Sequence, residues 1–311
     1  MADMSSQDRL IWFKGALMPA EQAQVPVLSP TAQFGLNVFE GLRCYWNAES
    51  TDVYVFRMDD HLTRLAASCR LIGISSPYSA DQIAGAVREV LRANSYREDI
   101  AVRVTLFVDG EGTWSSTEPV DMFVAPIAKA RRDIADTSGV RAGISTWERI
   151  DDRNLPPRIK AGANYINGRY AHLEARAAGY DLPILLDRSG KVSEGAGSCL
   201  MMVRDGVLVT PPVTASILES ITRDTLLQLA SSMNISTETR VIDRTELYLA
   251  SEVFLCGSAA EITPVTSVDR YTIGDGKIGA LTQRLLQRYL AVASGQESVG
   301  DRARCTPVWH I

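Results

Sequence analysis

Lysine is scarce in this chain: five residues (Lys14, Lys129, Lys160, Lys191, Lys277) against 27 arginines in 311. Histidine is scarcer still, with only His61, His172 and His310. A histidine-based metal centre or a Ser-His-Asp triad is therefore poorly supplied. His61 could pair with the adjacent Asp59 or Asp60, and a structural helix residue is the preferred reading. The five cysteines (Cys44, Cys69, Cys199, Cys256, Cys305) are odd in number, scattered and without a CxxC pair. That pattern excludes a disulfide frame or zinc site and fits buried, reduced thiols of a cytoplasmic protein. No stretch reaches the ~18 uninterrupted apolar residues of a membrane span. The formal net charge of −5, with no Lys/Arg run, argues against a nucleic-acid partner. Met1 to Arg9 is polar and lacks an apolar signal core, so it is expected to be a frayed cytosolic end. No internal repeat or low-complexity block is present.

What is there is ordinary globular material, 46% hydrophobic and 22% charged, long enough for about two domains. Val53 to Arg57 has strand composition. Asp59-Asp60 can cap a helix from His61 to Ile72, whose Leu62, Leu65, Ala66, Cys69 and Ile72 recur at helical spacing. Ser79 to Ala93 is a second amphipathic helix, with Ile83, Val87 and Leu91 on one face. Ile100 to Val108 and Val120 to Ile127 read as buried strands. Apolar periodicity pauses between residues 129 and 139, which marks a linker. The division is thus a smaller domain over residues 1–128 and a larger one over 140–311. In the latter, Val140 to Trp147 is a strand and Asn164 to Ala178 a helix stopped by Gly179. Pro183 to Leu186 and Val192-Ser193 flank a turn, and Cys199 to Val203 and Val207 to Thr210 form a hairpin over Asp205-Gly206. Ile221 to Met233 is helical, Glu252 to Cys256 a strand and Ile278 to Val292 a closing helix. Strands and helices mix without a strict βαβ period, so the fold class is α+β, or irregular α/β.

Four lysines sit beside polar or glycine-rich turn signals, whereas Lys160 lies among small and apolar residues in Arg158-Ile159-Lys160-Ala161-Gly162-Ala163. Desolvation there would lower its pKa and make it an amine nucleophile, as a Schiff-base lysine requires. A lysine bounding a loop is the alternative. Glu194 stands between a strand and a Gly195-Ala196-Gly197 bend, where a carboxylate could approach a flat ring and keep its nitrogen protonated; a surface acid on a turn is the other reading. Ser220 and Thr222 open the helix from Ile221, and a first helical turn offers N–H groups to an anion. Most such caps bind nothing. Cys256 to Pro264 ends a strand in small residues, with the Ser258 hydroxyl and neighbouring amides able to face an anion. Arg57 could serve the same phosphate or make a surface salt bridge.

Taken in order, these texts resemble the branched-chain aminotransferase family of fold-type IV pyridoxal-phosphate enzymes, a class that also holds D-amino-acid aminotransferases and aminodeoxychorismate lyases. The resemblance spans nearly the whole chain, through Phe34 to Arg43, Phe56-Arg57, Lys160 to Tyr165, Ser193 to Gly197, Ile221 to Asp224 and Gly257 to Pro264. It implies a two-domain fold, the larger domain holding pyridoxal 5′-phosphate, and at least a homodimer. It implies Lys160 as the catalytic residue that holds the cofactor aldehyde, Tyr165 on the phenolic oxygen and Glu194 on the pyridine nitrogen. Arg57, the Ile221 and Thr222 amides and Ser258 are then the phosphate ligands, with Leu218 and Gly197 against the cofactor. Phe34, Phe39, Arg103, Ser258 and Ala259 are the implied substrate contacts.

Departures from the family concern the substrate wall. Where members line the pocket with tyrosines, this chain has Phe34, Ala101 and Ala130, while Arg103 is retained. Glu219-Ser220 replaces a Pro-Gly pair, and Cys199 replaces an asparagine. The expected activity is pyridoxal-phosphate-dependent transfer of an amino group between an L-amino acid, branched-chain or bulkier and less conventional than leucine, and a 2-oxo acid. A lyase of the aminodeoxychorismate type and a non-catalytic binding protein are the rivals. No membrane or metal is called for.

Overall fold

The structure, a computed structural model, describes residues 9–297 and 305–309. The polar end before Arg9 and His310 lie outside the described residues. Two compact units divide the chain. The first takes the described residues of Met1–Arg131, Ile159–Ala163 and Ala291–Ile311, and the second takes Arg132–Arg158 and Asn164–Leu290. Residues 129–139 carry neither helix nor strand. The division departs from a clean cut at that segment, because five residues around Lys160 and the C-terminal residues return to the first unit.

The first unit is an antiparallel sheet covered by two helices. Its elements are β1 (Leu10–Phe13), β2 (Ala16–Pro19), α1 (Pro30–Phe34), β3 (Asn37–Asn47), β4 (Asp52–Phe56), α2 (Met58–Ile72), α3 (Ala80–Ala93), β5 (Ile100–Val108) and β6 (Val120–Ala128). The strand Cys305–Pro307 pairs with β4 at one edge, and the order runs on through β4, β3, β5, β6, β1 and β2. Strand alternation decides which residues meet the helices. Val38, Leu42 and Cys44 of β3 and Ile100, Val102 and Val104 of β5 pack against Leu62, Leu65, Val87 and Leu91 of α2 and α3. The intervening Phe39, Arg103 and Phe107 point to the opposite face, where Phe13 and Phe107 stack. Ser79 caps α3 with a reciprocal capping box to Gln82.

The start of α2 corrects the sequence reading. The helix begins at Met58, not after Asp59-Asp60, and its N-cap is Arg57 in a left-handed conformation (φ 50°, ψ 43°) with no side-chain cap. Asp59 and Asp60 lie inside the first turn, where carboxylates favour the helix dipole without capping it.

The second unit holds β7 (Val140–Glu148), α4 (Tyr165–Ala177), β8 (Leu182–Leu186), β9 (Val192–Gly195), β10 (Cys199–Arg204), β11 (Val207–Thr210), α5 (Ile221–Ser232), β12 (Thr237–Thr239), α6 (Arg244–Leu247), β13 (Glu252–Gly257), β14 (Glu261–Val268) and β15 (Tyr271–Thr272). Helix α7 (Ala280–Ala293) runs across the boundary between the units in sequence. The strand order is β12-β11-β10-β13-β14-β7-β8-β9, with β15 on β14. Parallel pairs (β11/β12, β14/β7, β7/β8) are interspersed with antiparallel ones, which confirms the mixed α+β class. Ile184, Leu200, Met202, Val209, Val253 and Leu255 form the centre of its core. Asp205 and Gly206 both have positive φ at the tip of the β10–β11 hairpin, as a two-residue turn demands. Among the described residues, no helix is long and apolar enough to cross a membrane.

Candidate active site

The predicted site residues fall into two groups, one in each unit. Phe34, Phe39, Arg57, Arg103 and Lys160 belong to the first; Tyr165, Glu194, Gly197, Leu218, Ile221, Thr222, Ser258 and Ala259 belong to the second.

In the first unit, Lys160 sits on a segment laid along the start of β3. Phe39 N–H donates to the Lys160 carbonyl at 2.9 Å, and Gly162 N–H donates to Asn37 O at 3.2 Å. The Lys160 N–H donates to Ser68 Oγ of α2 at 3.2 Å. These bonds hold the half-buried lysine's backbone in one place. Its Nζ lies 4.9 Å from the centre of the Phe39 ring, and the Arg103 guanidinium lies 4.0 Å from the same ring. Gly41 is the cross-strand partner of Arg103, so no side chain opposite Arg103 blocks its diagonal approach to Phe39. The nitrogen-bearing ends of Lys160 and Arg103 are thus gathered around one aromatic ring. Arg57 is largely buried, with Nε on Asp60 Oδ2 at 2.7 Å. Phe34, ending α1, is exposed.

On the helix side of β3, Glu40 is fully buried and bound by three donors. His61 Nδ1 lies 2.7 Å from Oε2, and Arg64 reaches Oε1 through Nε at 2.7 Å and Oε2 through Nη2 at 2.8 Å. This corrects the pairing considered for His61: its partner is Glu40, because neighbours one and two residues back on a helix do not share its face. Burial opposes the charge on Glu40, yet the adjoining imidazole and guanidinium hold its carboxyl well below the usual range. Burial lowers the His61 pKa against the pull of Glu40. Arg57, His61, Arg64 and Ser68 recur at helical spacing along α2, so one helix face carries the predicted phosphate ligand, the Glu40 clamp and the hydroxyl that fixes Lys160.

In the second unit, Glu194 closes β9 with 3% of its surface exposed. Arg149, just past the end of β7, brings Nη2 to 2.7 Å and Nε to 2.8 Å from Oε1, while its Nη1 donates to Asn167 Oδ1 on α4 at 3.2 Å. Leu218 N–H lies 3.3 Å from both oxygens, and Cys199 Sγ lies 3.6 Å from Oε2. Burial raises the Glu194 carboxyl above its ordinary range, with Arg149 opposing. The surface-acid alternative is thereby removed. Tyr165 opens α4 with its ring beside Gly197. Helix α4 can lie this close to the bend because Gly168 has no Cβ, which would collide with the Ala196 carbonyl.

After Leu218, Ser220 caps α5 by accepting from Arg223 N–H at 3.2 Å. Ile221 and Thr222 are then the first two residues of the helix, in the turn whose amides point toward an anion site. Arg223 itself is structural, bonded to Thr210 Oγ1 at 3.0 Å and Pro211 O at 2.9 Å. Ser258 and Ala259 form the turn between β13 and β14, directly after Gly257, which lies against the Gly197–Ser198 backbone.

The second group suits a flat, nitrogen-bearing, phosphorylated ring. It supplies a buried acid with one oxygen left for a strong donor, an aromatic hydroxyl, a helix start and a small-residue turn. Ser193 Oγ, beside Glu194, is buried without a hydrogen-bond partner.

A family model for the class IV amino-transferases matches residues 37–268. The chain belongs to this family. Its relatives there are branched-chain-amino-acid aminotransferases. That of Escherichia coli K12 is 38% identical over 291 residues, covering 92% of this chain and 93% of the relative. Among solved class IV structures, the branched-chain amino acid aminotransferase of Thermobaculum terrenum in its PLP form is 39% identical, with a TM-score of 0.93 over 98% of this chain and 100% of that one. The branched-chain aminotransferase of Thermoproteus uzoniensis with norvaline is 38% identical, with a TM-score of 0.90 over 96% and 99%.

Sequence reasoning missed Arg149, Asn167, Glu40, Arg64 and Ser68. Arg149 meets Glu194 because β7, β8 and β9 are neighbours in the sheet, a fact of topology that no local spacing carries. The Glu40 clamp could have been suspected from the helical spacing of Arg57, His61, Arg64 and Ser68.

Proposed function

We propose that this class IV aminotransferase uses pyridoxal 5′-phosphate to move an amino group between an L-amino acid and a 2-oxo acid. The observation that carries the reading is Lys160, whose backbone is hydrogen-bonded to both β3 and α2 while its amine stays over the Phe39 ring. When bound, pyridoxal phosphate supplies an aldehyde for the amino group and a ring that accepts the electron pair released at Cα. Lys160 Nζ would hold the cofactor through that aldehyde and, once the donor's amino group has displaced it, would be the base placed to carry the proton released at Cα. Glu194 keeps a proton on the ring nitrogen. Tyr165 would donate to the phenolic oxygen, Leu218 and Gly197 would flank the ring, and Arg57, the Ile221 and Thr222 amides and Ser258 would bind the phosphate. Arg103 and the Ser258-Ala259 backbone receive the substrate carboxylate, with Phe34 and Phe39 along its side chain.

The donor is a branched-chain amino acid or one bulkier and less conventional than leucine. Norvaline in the Thermoproteus uzoniensis structure supports an aliphatic side chain, and Phe34, Ala101 and Ala130 leave a wall without hydroxyls. The protein works in the cytoplasm, which its five buried cysteines, none of them in a disulfide, support. It works as a homodimer or larger assembly. The exposed Trp147–Tyr170 stack beside Ile166 and Leu173 supports this, being an apolar surface on a single chain.

Borohydride reduction of the holoenzyme followed by peptide mapping should label Lys160. Lys160→Ala should lower turnover by on the order of 10⁴-fold with the fold retained by circular dichroism. An unlabelled position 160, or unimpaired multiple turnover in that variant, would overturn the reading.

A further inference from the structure

The carboxylate of Glu194 is unevenly served. Both Arg149 donors that reach it converge on Oε1, at 2.7 and 2.8 Å, instead of forking one to each oxygen as a paired guanidinium commonly does. The third guanidinium nitrogen is drawn away by Asn167. Oε2 is left with a shared, long bond from Leu218 N–H at 3.3 Å and the Cys199 thiol at 3.6 Å. A thiol is a weak donor with a single hydrogen. That hydrogen has a second acceptor, because Cys199 Sγ is also 3.6 Å from the Leu218 carbonyl. The thiol is fixed in place, 2% exposed and opposite Cys256 in the β10–β13 ladder. Burial keeps it protonated, far above its ordinary range. Ser220, 21 positions on in the sequence, is close enough to act on the same thiol. The two departures from the family pattern noted at Cys199 and Ser220 therefore meet at one thiol, and that thiol lies beside Glu194 Oε2.

We infer that Cys199 is a positioning residue that leaves Glu194 Oε2 weakly bonded, so that this oxygen draws strongly on the ring-nitrogen proton of the cofactor. The inference rests on the assignment of Glu194 to the ring nitrogen. Arg149 anchors Oε1 and fixes the plane of the carboxylate. Cys199 determines how much of the charge on Oε2 remains for the cofactor. An amide at position 199 would carry two hydrogens and could serve Oε2 and the Leu218 carbonyl together. It would disperse that charge, and the ring-nitrogen proton would be shared less with the acid.

The test is the 15N signal of holoenzyme loaded with cofactor labelled at the ring nitrogen, read at neutral pH in wild type, Cys199→Asn, Cys199→Ser, Cys199→Ala and Glu194→Gln. Cys199→Asn should move the signal toward that of a fully protonated, unshared pyridinium. Cys199→Ala should leave it in place or move it the opposite way, and Cys199→Ser should fall between Asn and wild type. Unchanged signals in all three Cys199 variants, with a displaced signal in Glu194→Gln, would overturn the role of Cys199 alone. An unchanged signal in Glu194→Gln would overturn the assignment of Glu194 itself. If Cys199→Asn fails to fold, Cys199→Ser and Cys199→Ala decide the matter by whether their signals separate in the stated order.

Discussion

Glu40 and Glu194 are both buried glutamates, one in each unit, and they are treated in opposite ways. Glu40 has each oxygen engaged at 2.7–2.8 Å by His61 and Arg64, and its carboxyl lies below the ordinary range. Glu194 has one oxygen clamped and the other attended only by long or weak donors, and its carboxyl lies above that range. Burial is nearly the same for the two, so the difference comes from how completely the donors close around the charge. A carboxylate that is fully bonded within the fold holds elements together. One that is left partly open keeps capacity for a group the chain does not itself supply.

The sharpest way to break this contrast is to exchange the losses. Glu194→Gln should cut transamination by at least about a hundredfold while the protein stays folded, measured by steady-state turnover beside thermal melting. Glu40→Gln should act the other way round. It leaves Arg64 without its buried counter-charge and should cost about 3–5 kcal/mol of stability, read from chemical denaturation. Equal stability losses in the two variants would erase the distinction.

Acid should separate the pair next. The folded state holds Glu40 below its ordinary range, so that stabilisation is complete above the ordinary carboxyl range and is lost as pH falls through the folded value. His61 is favoured neutral, and its contribution begins to fall once pH drops below the ordinary imidazole range. Glu194, raised in the fold, contributes stability at low pH that is lost as pH rises through its folded value. Acidification of the apo-protein should therefore carry a loss from His61 and Glu40 against a gain from Glu194, and His61→Asn should remove the loss nearest neutrality. A profile unchanged by His61→Asn would count against the neutral, buried imidazole. The smallest effect expected is at a site remote from both glutamates: Ser79→Ala should cost about 1 kcal/mol through loss of the α3 cap, measured by denaturation, with turnover unaffected.

The regular elements with strong periodicity were legible in the sequence. Helix α3, β5, the Asp205-Gly206 hairpin and α5 behind Ser220 all lie within a residue or two of where pattern and turn chemistry put them. The start of α2 was not, because a left-handed Arg57 replaces the polar cap that the adjacent aspartates suggest. At the site, the motif residues were legible as chemistry, while the groups that set their electrostatics were not. Arg149 reaches Glu194 across 45 positions and Ser68 reaches Lys160 across 92. Such partners are chosen by strand order and helix packing, which a single sequence does not display.

The five residues around Lys160 that return to the first unit have a consequence for how the enzyme is made. As the chain leaves the ribosome, β3 and α2, the strand and helix that will seat the lysine, have emerged well before the lysine appears. The strand that closes the edge at β4 comes only near the C-terminus. A fragment ending at Arg131 would thus offer a ready seat with no reactive amine. Co-expressing it with the remainder as two pieces would show whether the short lysine segment docks by itself.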